Sequence, residues 1–140
     1  MSLADRTVAV TGATGFLGSH IALELLGRGA AVRGVVRTPS KGDWLEARGA
    51  TMVAADLIDV DALTEAFAGA DAVVSNAALF TMGRASWEDY HRPNIEGTAN
   101  VYEALRRSGV KRVVQISTVG VYKMRLGRAV TEDAPRLTEA

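Results

Sequence analysis

Apolar residues follow two rhythms along the chain. Short runs rich in Val, Ala, Ile and Thr at residues 7–10, 32–36, 51–54, 72–75 and 112–117 predict strands. Between them, apolar positions recur every three or four residues, the spacing of a helix face. Leu17, Ile21 and Leu25 predict an apolar stripe down a first helix that stops at Gly29. Pro39 and Gly42 break the chain after the second strand, and a short helix over 44–48 ends at Gly49. Asp59 is placed to cap a helix whose Val60, Leu63 and Phe67 share a face and whose stop is Gly69. A longer helix is predicted over 86–108, with Trp87, His91, Asn94, Thr98, Val101 and Leu105 on one face and Gly109 at its end. Pro93 lies inside it and should kink or restart it. After Tyr122 the pattern fades, and 123–140 reads as loop.

Strands that are nearly continuous in apolar residues, separated by helices, imply a parallel sheet covered on both faces. Right-handed crossovers then give a doubly wound α/β fold of expected order 3-2-1-4-5 in one domain, residues 1–140. Composition narrows the function classes. Lys plus Arg and Asp plus Glu each number 16, so the basic excess of a nucleic-acid binder is missing. No Cys means no disulfide or thiolate chemistry. Neither His20 nor His91 has a second His or a Cys at metal-binding spacing, so no metal site is expected. No apolar run approaches the roughly 20 residues of a membrane span, and no signal-peptide pattern opens the chain. A cytoplasmic protein is the expectation.

The chemistry concentrates where the first strand meets the first helix. In Val10-Thr-Gly-Ala-Thr-Gly-Phe-Leu-Gly18, Gly12 permits a tight turn, Gly15 lets the backbone approach a pyrophosphate, and Gly18 lets the helix pack closely. Exposed amides at the positive end of the helix dipole then suit a bound anion. A Walker phosphate loop is excluded, because no Gly-Lys-Ser/Thr follows the first glycine at the required spacing. At the end of the second strand, NAD-specific dinucleotide sites place an acid for the ribose 2′-OH. This chain has Val36 there and Arg37 next, with Thr38, Ser40 and Lys41 close behind, which favours a 2′-phosphate and hence NADP, with NAD as second choice.

Thr11-Gly-Ala-Thr-Gly-Phe-Leu-Gly18 resembles the TGxxGxxG signature of extended short-chain dehydrogenases/reductases, the NAD-dependent epimerase/dehydratase family, whose cofactor domain is Rossmann-like. Four further segments are similar in order and spacing. Asp56-Leu57 resembles the family's adenine-contacting pair, and Asn76-Ala77-Ala78 the segment beneath the nicotinamide ribose. Asn94-Ile-Glu-Gly-Thr-Ala-Asn100 resembles its long-helix signature and Ser117-Thr-Val-Gly-Val-Tyr122 its SSxxVYG segment. The resemblance implies cofactor contacts at Gly12, Thr14, Gly15, Phe16, Leu17, Gly18, Arg37, Asp56, Leu57, Asn76, Ala77 and Ala78. Read alone, Asp56 also fits a loop carboxylate, Asn76 an Asx-turn residue and Asn94 a satisfied core polar group.

In the family a Ser or Thr polarises the substrate oxygen while a Tyr-x-x-x-Lys pair supplies acid and base. By resemblance Thr118 takes the first role. The pair is absent: Tyr90, Tyr102 and Tyr122 are followed four residues on by Asn94, Arg106 and Leu126. Val130-Thr-Glu-Asp-Ala-Pro135 resembles the stretch preceding that pair, so the chain is expected to stop before the catalytic helix and the C-terminal substrate lobe. Lys123 replaces the usual Gly after Val-Tyr. The expected role is the cofactor-binding part of a reductase, epimerase or dehydratase. Hydride transfer would occur at a secondary alcohol or carbonyl of a small molecule, a nucleotide-sugar or hydroxy-ketone among the candidates. The alternative is a non-catalytic dinucleotide-binding redox sensor. The resemblance also implies a homodimer through the long helix near 86–108.

Overall fold

The computed structural model describes residues 2–81, 85–123 and 129–137. Its element order is β1 (Thr7–Thr11), α1 (Phe16–Gly27), β2 (Ala31–Val36), α2 (Asp43–Glu46), β3 (Thr51–Ala54), α3 (Val60–Phe67), β4 (Ala72–Ser75), α4 (Trp87–His91), α5 (Gly97–Ser108) and β5 (Val113–Gln115). A 3-10 turn, Pro39–Gly42, precedes α2, and a wide π turn, Arg92–Glu96, joins α4 to α5.

All strand pairs are parallel, and the order is β3-β2-β1-β4-β5. β1 is central because both of its faces are apolar. Val8 and Val10 enter one core with Ala22, Val32, Val36 and Leu45, under α1 and α2. Ala9 enters the other with Leu63, Phe67, Val73, Val101 and Leu105, under α3 and α5. The strands therefore lack a polar face, as burial between two helical layers requires. Asp59 caps α3 by accepting from Ala62 N at 3.0 Å, and Gly109 closes α5 in the left-handed region at φ 74°.

Four expectations need correction. Of the stripe Leu17–Ile21–Leu25, Leu17 does not belong to the packed face of α1. Gly18 and Ala22 are buried, with Ile21, Leu25 and Leu26 half-buried beside them, whereas Leu17 is 46% exposed. Small residues let the helix axis approach the sheet, which turns Leu17 away from the core. The long helix restarts at Pro93 as expected, but its predicted face does not run through from Trp87. Pro93 has no amide hydrogen for the carbonyl of Asp89, and the backbone widens into the π turn at that point. The turn shifts the phase of the preceding residues, leaving Trp87 71% exposed while Gly97, Val101, Ala104 and Leu105 carry the packing.

The fifth strand is shorter than predicted, three exposed residues at the sheet edge, followed by one further bond from Ile116 N to Ser75 O at 2.9 Å. Finally, the tail contains an antiparallel bridge between Tyr122 and Arg136, with Leu137 N bonded to Val121 O at 2.8 Å. The loop expected over 124–128 and 138–140 lies outside the described residues.

Charged residues at the end of α5 form a paired cluster. Glu103 accepts from Arg106 and Arg107, which hold its carboxyl down to about 2, and Arg107 also reaches Asp61 at 3.0 Å.

Phe67→Ala, emptying a fully buried site, should cost about 3–5 kcal/mol in urea unfolding, whereas Leu17→Ala should stay within about 0.5 kcal/mol. A large loss at Leu17 would contradict the face assigned to α1.

Candidate functional site

The end of β1 is a junction of three backbones. Gly12 turns at φ 67°, and a Cβ there would lie 3.0 Å from Ala77 Cα. Its carbonyl accepts from Gly15 N at 2.9 Å and lies where a Gly18 side chain would be: a Cβ on Gly18 would stand 2.2 Å from Gly12 O and 2.8 Å from Asn76 Nδ2. The third glycine thus keeps α1 against the turn itself as well as the sheet. Gly15 is different. A Cβ there meets only Gly12 O, at 3.2 Å, and its outer side faces open space.

Thr11 fastens the junction to β4. Its buried hydroxyl accepts from Asn76 N at 2.9 Å and Ala77 N at 3.0 Å, and its Oγ1 lies 3.5 Å from Val74 O, a long contact to that carbonyl. One side chain satisfies two amides at the point where β4 ends and nothing else can pair them. Asn76 Nδ2 reaches back to Thr11 O at 3.4 Å. The sequence showed Thr11 only as the opening letter of a signature; its work is done by a hydroxyl across 65 residues.

Above the junction lies a cavity of about 910 Å³, near the upper end of the usual roughly 300–1,000 Å³ range of ligand clefts. Gly12, Thr14, Gly15, Phe16, Leu17, Arg37, Asp56, Leu57, Asn76, Ala77 and Ala78 all line it. Gly18, buried behind the turn, does not. Phe16 is 88% exposed and tilts over His20, with centroids 4.9 Å apart. The first turn of α1 has no side-chain cap and no acidic residue, so its amides face the cavity without a competing carboxylate. Arg37 follows the buried end of β2 and has no hydrogen-bond or ion-pair partner among the described residues. Asp56 Oδ1 accepts from Ile58 N at 3.2 Å, so the same carboxylate shapes its loop and lines the wall.

The loop after β4 was expected to border the crevice as far as Leu79, and the resemblance pointed to Asn94 as a holder of the site's backbone; the rest of the far wall, Phe80, Thr81, Asp89, Arg92 and Pro93, was not foreseen. Asn94 clamps it: Oδ1 accepts from Leu79 N at 2.7 Å and Nδ2 donates to Leu79 O at 2.9 Å. Tyr90 adds a second tie, donating its hydroxyl to the Thr81 carbonyl and meeting Thr81 Oγ1 at 2.9 Å. Asn100 Nδ2 donates to Leu57 O at 3.0 Å. A capping box starts α4, where the Ser86 backbone amide and hydroxyl hold the Asp89 carboxyl below its usual pKa. Read from the residues alone, Asn94 fitted a satisfied polar group equally well; its bonds go to cavity backbone.

Thr118 stands apart. It is exposed, accepts from Gly120 N at 3.2 Å at the start of a 3-10 turn, Val119–Val121, and is not part of the cavity lining. Among the described residues no group of His, Asp and Glu could hold a metal, and no helix is long and apolar enough to cross a membrane.

A doubly wound parallel sheet with a glycine turn at its reversal point defines a Rossmann-type domain, the class of fold that holds dinucleotides at such a turn. The model of the NAD dependent epimerase/dehydratase family matches residues 8–137, and the chain belongs to that family. Among its relatives, a ketoreductase of Stigmatella aurantiaca acting on a farnesylated dihydroquinoline oxide is 37% identical over 112 residues, 80% of this chain and 33% of that protein. Cinnamoyl-CoA reductase 1 of Petunia hybrida is 38% identical over 130 residues, 88% of this chain and 38% of that protein. The crystal structure of UDP-glucose-4-epimerase from Stenotrophomonas maltophila, with bound NAD and formylated UDP-arabinopyranose, superposes with a TM-score of 0.85. It is 27% identical, over 94% of this chain and 43% of that one. The chain therefore spans well under half the length of these relatives.

Gly18→Ala should lower stability by about 1–3 kcal/mol or more through overpacking at the Gly12 carbonyl, while Gly15→Ala should fold with near wild-type stability. Urea unfolding of the two variants checks this, and equal stabilities would contradict the junction.

Proposed function

We propose that this chain is the NADP-preferring cofactor domain of a carbonyl reductase. The observation that carries the reading is the junction cavity, whose wall joins uncapped α1 amides, the close approach at Gly15 and Arg37, which has no partner among the described residues. The fit to NADP rests on the same residues. Helix amides and the glycine turn suit a pyrophosphate, Asp56 and Leu57 flank the adenine side, and Asn76–Ala78 lie on the nicotinamide side. Arg37 would pair with a 2′-phosphate that no acid at the end of β2 repels. The bound cofactor would supply a hydride. The names of the ketoreductase and cinnamoyl-CoA reductase relatives favour carbonyl reduction over epimerisation.

Thr118 enters this reading as the hydroxyl that polarises the substrate oxygen. Its Oγ1 accepts from Gly120 N, which leaves its own hydrogen to donate. No Tyr-x-x-x-Lys pair stands in the sequence to exchange the proton, a function typically worth about a hundred- to ten-thousand-fold. The position of Thr118 outside the cavity lining favours a second reading, a redox-sensing module that binds the cofactor without turnover. Self-association through the segment 86–108 belongs to the first reading, where Trp87, Ile95 and Tyr102 are exposed.

Calorimetry should show NADPH binding roughly ten- to a hundredfold more tightly than NADH, the range of a charge-assisted pair. Arg37→Ala should remove most of that gap, and Gly15→Val should weaken both cofactors. Comparable wild-type affinities for NADPH and NADH would reject the preference. The 140-residue chain should show no NADPH-dependent carbonyl reduction above background; robust turnover would mean that the acid/base lies elsewhere, with Tyr122 beside Lys123 the first residues to test.

A further inference from the structure

The far wall of the cavity contains a cation that neither the glycine junction nor Arg37 accounts for. Arg92 is bracketed by two fixed points: Tyr90 is tied to Thr81, and Asn94 to Leu79. Arg92 lines the cavity together with Leu79, Phe80 and Thr81, on the β4 side. Arg37 leaves the sheet on the β2 side, and β1 with its glycine turn lies between the two. The two guanidinium groups serve opposite ends of the crevice.

Arg92 has no hydrogen-bond or ion-pair partner among the described residues. Arg6, Arg28, Arg106 and Arg107 are each paired with a carboxylate, at 2.7–3.0 Å. The one carboxylate beside it on the wall, Asp89, is engaged instead by Ser86, whose amide and hydroxyl reach Oδ2 at 2.8 and 2.9 Å. Asp89 is held ionised there and opposes an anion only through what those two donors leave uncompensated. Apart from Thr81, whose hydroxyl is tied to Tyr90, the rest of that wall is apolar: Leu79, Ala85, Pro93, and Phe80, which is 84% exposed. Pro93 and the π turn fix the backbone that carries the guanidinium, which reduces the ordering cost of using it.

We infer that Arg92 is a specificity residue on the substrate side, pairing bidentately with a carboxylate on a carbonyl compound whose apolar body rests on Leu79 and Phe80. The inference rests on the proposed placement of the cofactor and adds a substrate class, the oxo-acids, to it. A guanidinium fork matches a carboxylate in a way that an ester cannot reproduce.

The test titrates benzoylpropionate and its methyl ester into the NADPH-saturated chain, as wild type, Arg92→Gln and Arg92→Lys, with melting curves to confirm folding. The wild type should bind the acid about tenfold more tightly than the ester. Arg92→Gln should reduce that preference to under about twofold and leave NADPH affinity unchanged, and Arg92→Lys should retain part of it. Equal binding of acid and ester, or no binding of the acid up to about 10 mM, overturns the inference. So does a preference that survives in Arg92→Gln. Loss of NADPH affinity in that variant also overturns it, by placing Arg92 on the cofactor. Failure of the wild type to bind NADPH is a separate result, which contradicts the cofactor reading before any acid is added.

Discussion

Three backbones meet at the end of β1 with no room for a side chain between them. The Gly12 carbonyl fills the space above Gly18, and Ala77 closes on Gly12 from β4. Everything distinctive about the crevice follows from that contact. It fixes the rotation of α1, so that Gly18 and Ala22 face the sheet while Phe16 and Leu17 turn towards the cavity. It brings the uncapped first turn of the helix over the sheet edge, where free amides and the helix dipole favour an anion. Thr11 completes the arrangement, since without its hydroxyl the amides of Asn76 and Ala77 would lose their partner at a site too crowded for an easy substitute.

A second constraint shapes the other half of the cavity. Pro93 cannot donate to the turn before it, and the resulting π turn hands the helix over from an exposed segment to a packed one. Asn94, just after the proline, grips both polar atoms of the Leu79 backbone and so turns a local irregularity into a wall. The charges on that wall differ from those elsewhere on the surface. Glu103, Arg106 and Arg107 neutralise one another at the end of α5, whereas Arg37 and Arg92 line the cavity without partners among the described residues. A guanidinium in that setting is available to a ligand at no cost in broken ion pairs.

Element order and strand order were legible because parallel, doubly covered strands must be apolar on both faces, and the runs around Val8–Val10 and Val32–Val36 meet that condition. The crevice was legible because its glycines sit at a strand-to-helix turn. The rotation of α1 was not. Periodicity marks Leu17, Ile21 and Leu25 as one stripe, but the packed face was chosen by small residues that periodicity does not weigh. The π turn was half visible: Pro93 announced an interruption, but its width and the exposure of Trp87 depend on how α5 docks on α3. The far wall was legible only as far as Leu79, because the segment carrying Arg92 is joined to it by the Asn94 side chain across 15 residues.

The central claim is that the crevice at the glycine junction, and no other surface, receives the dinucleotide. Amide chemical shifts of the chain titrated with NADPH test it most directly. The account predicts saturable changes concentrated at residues 12–18, 37 and 76–79, with the outer surface of α3 unmoved. Changes centred away from the junction, or none at saturating NADPH, would contradict it.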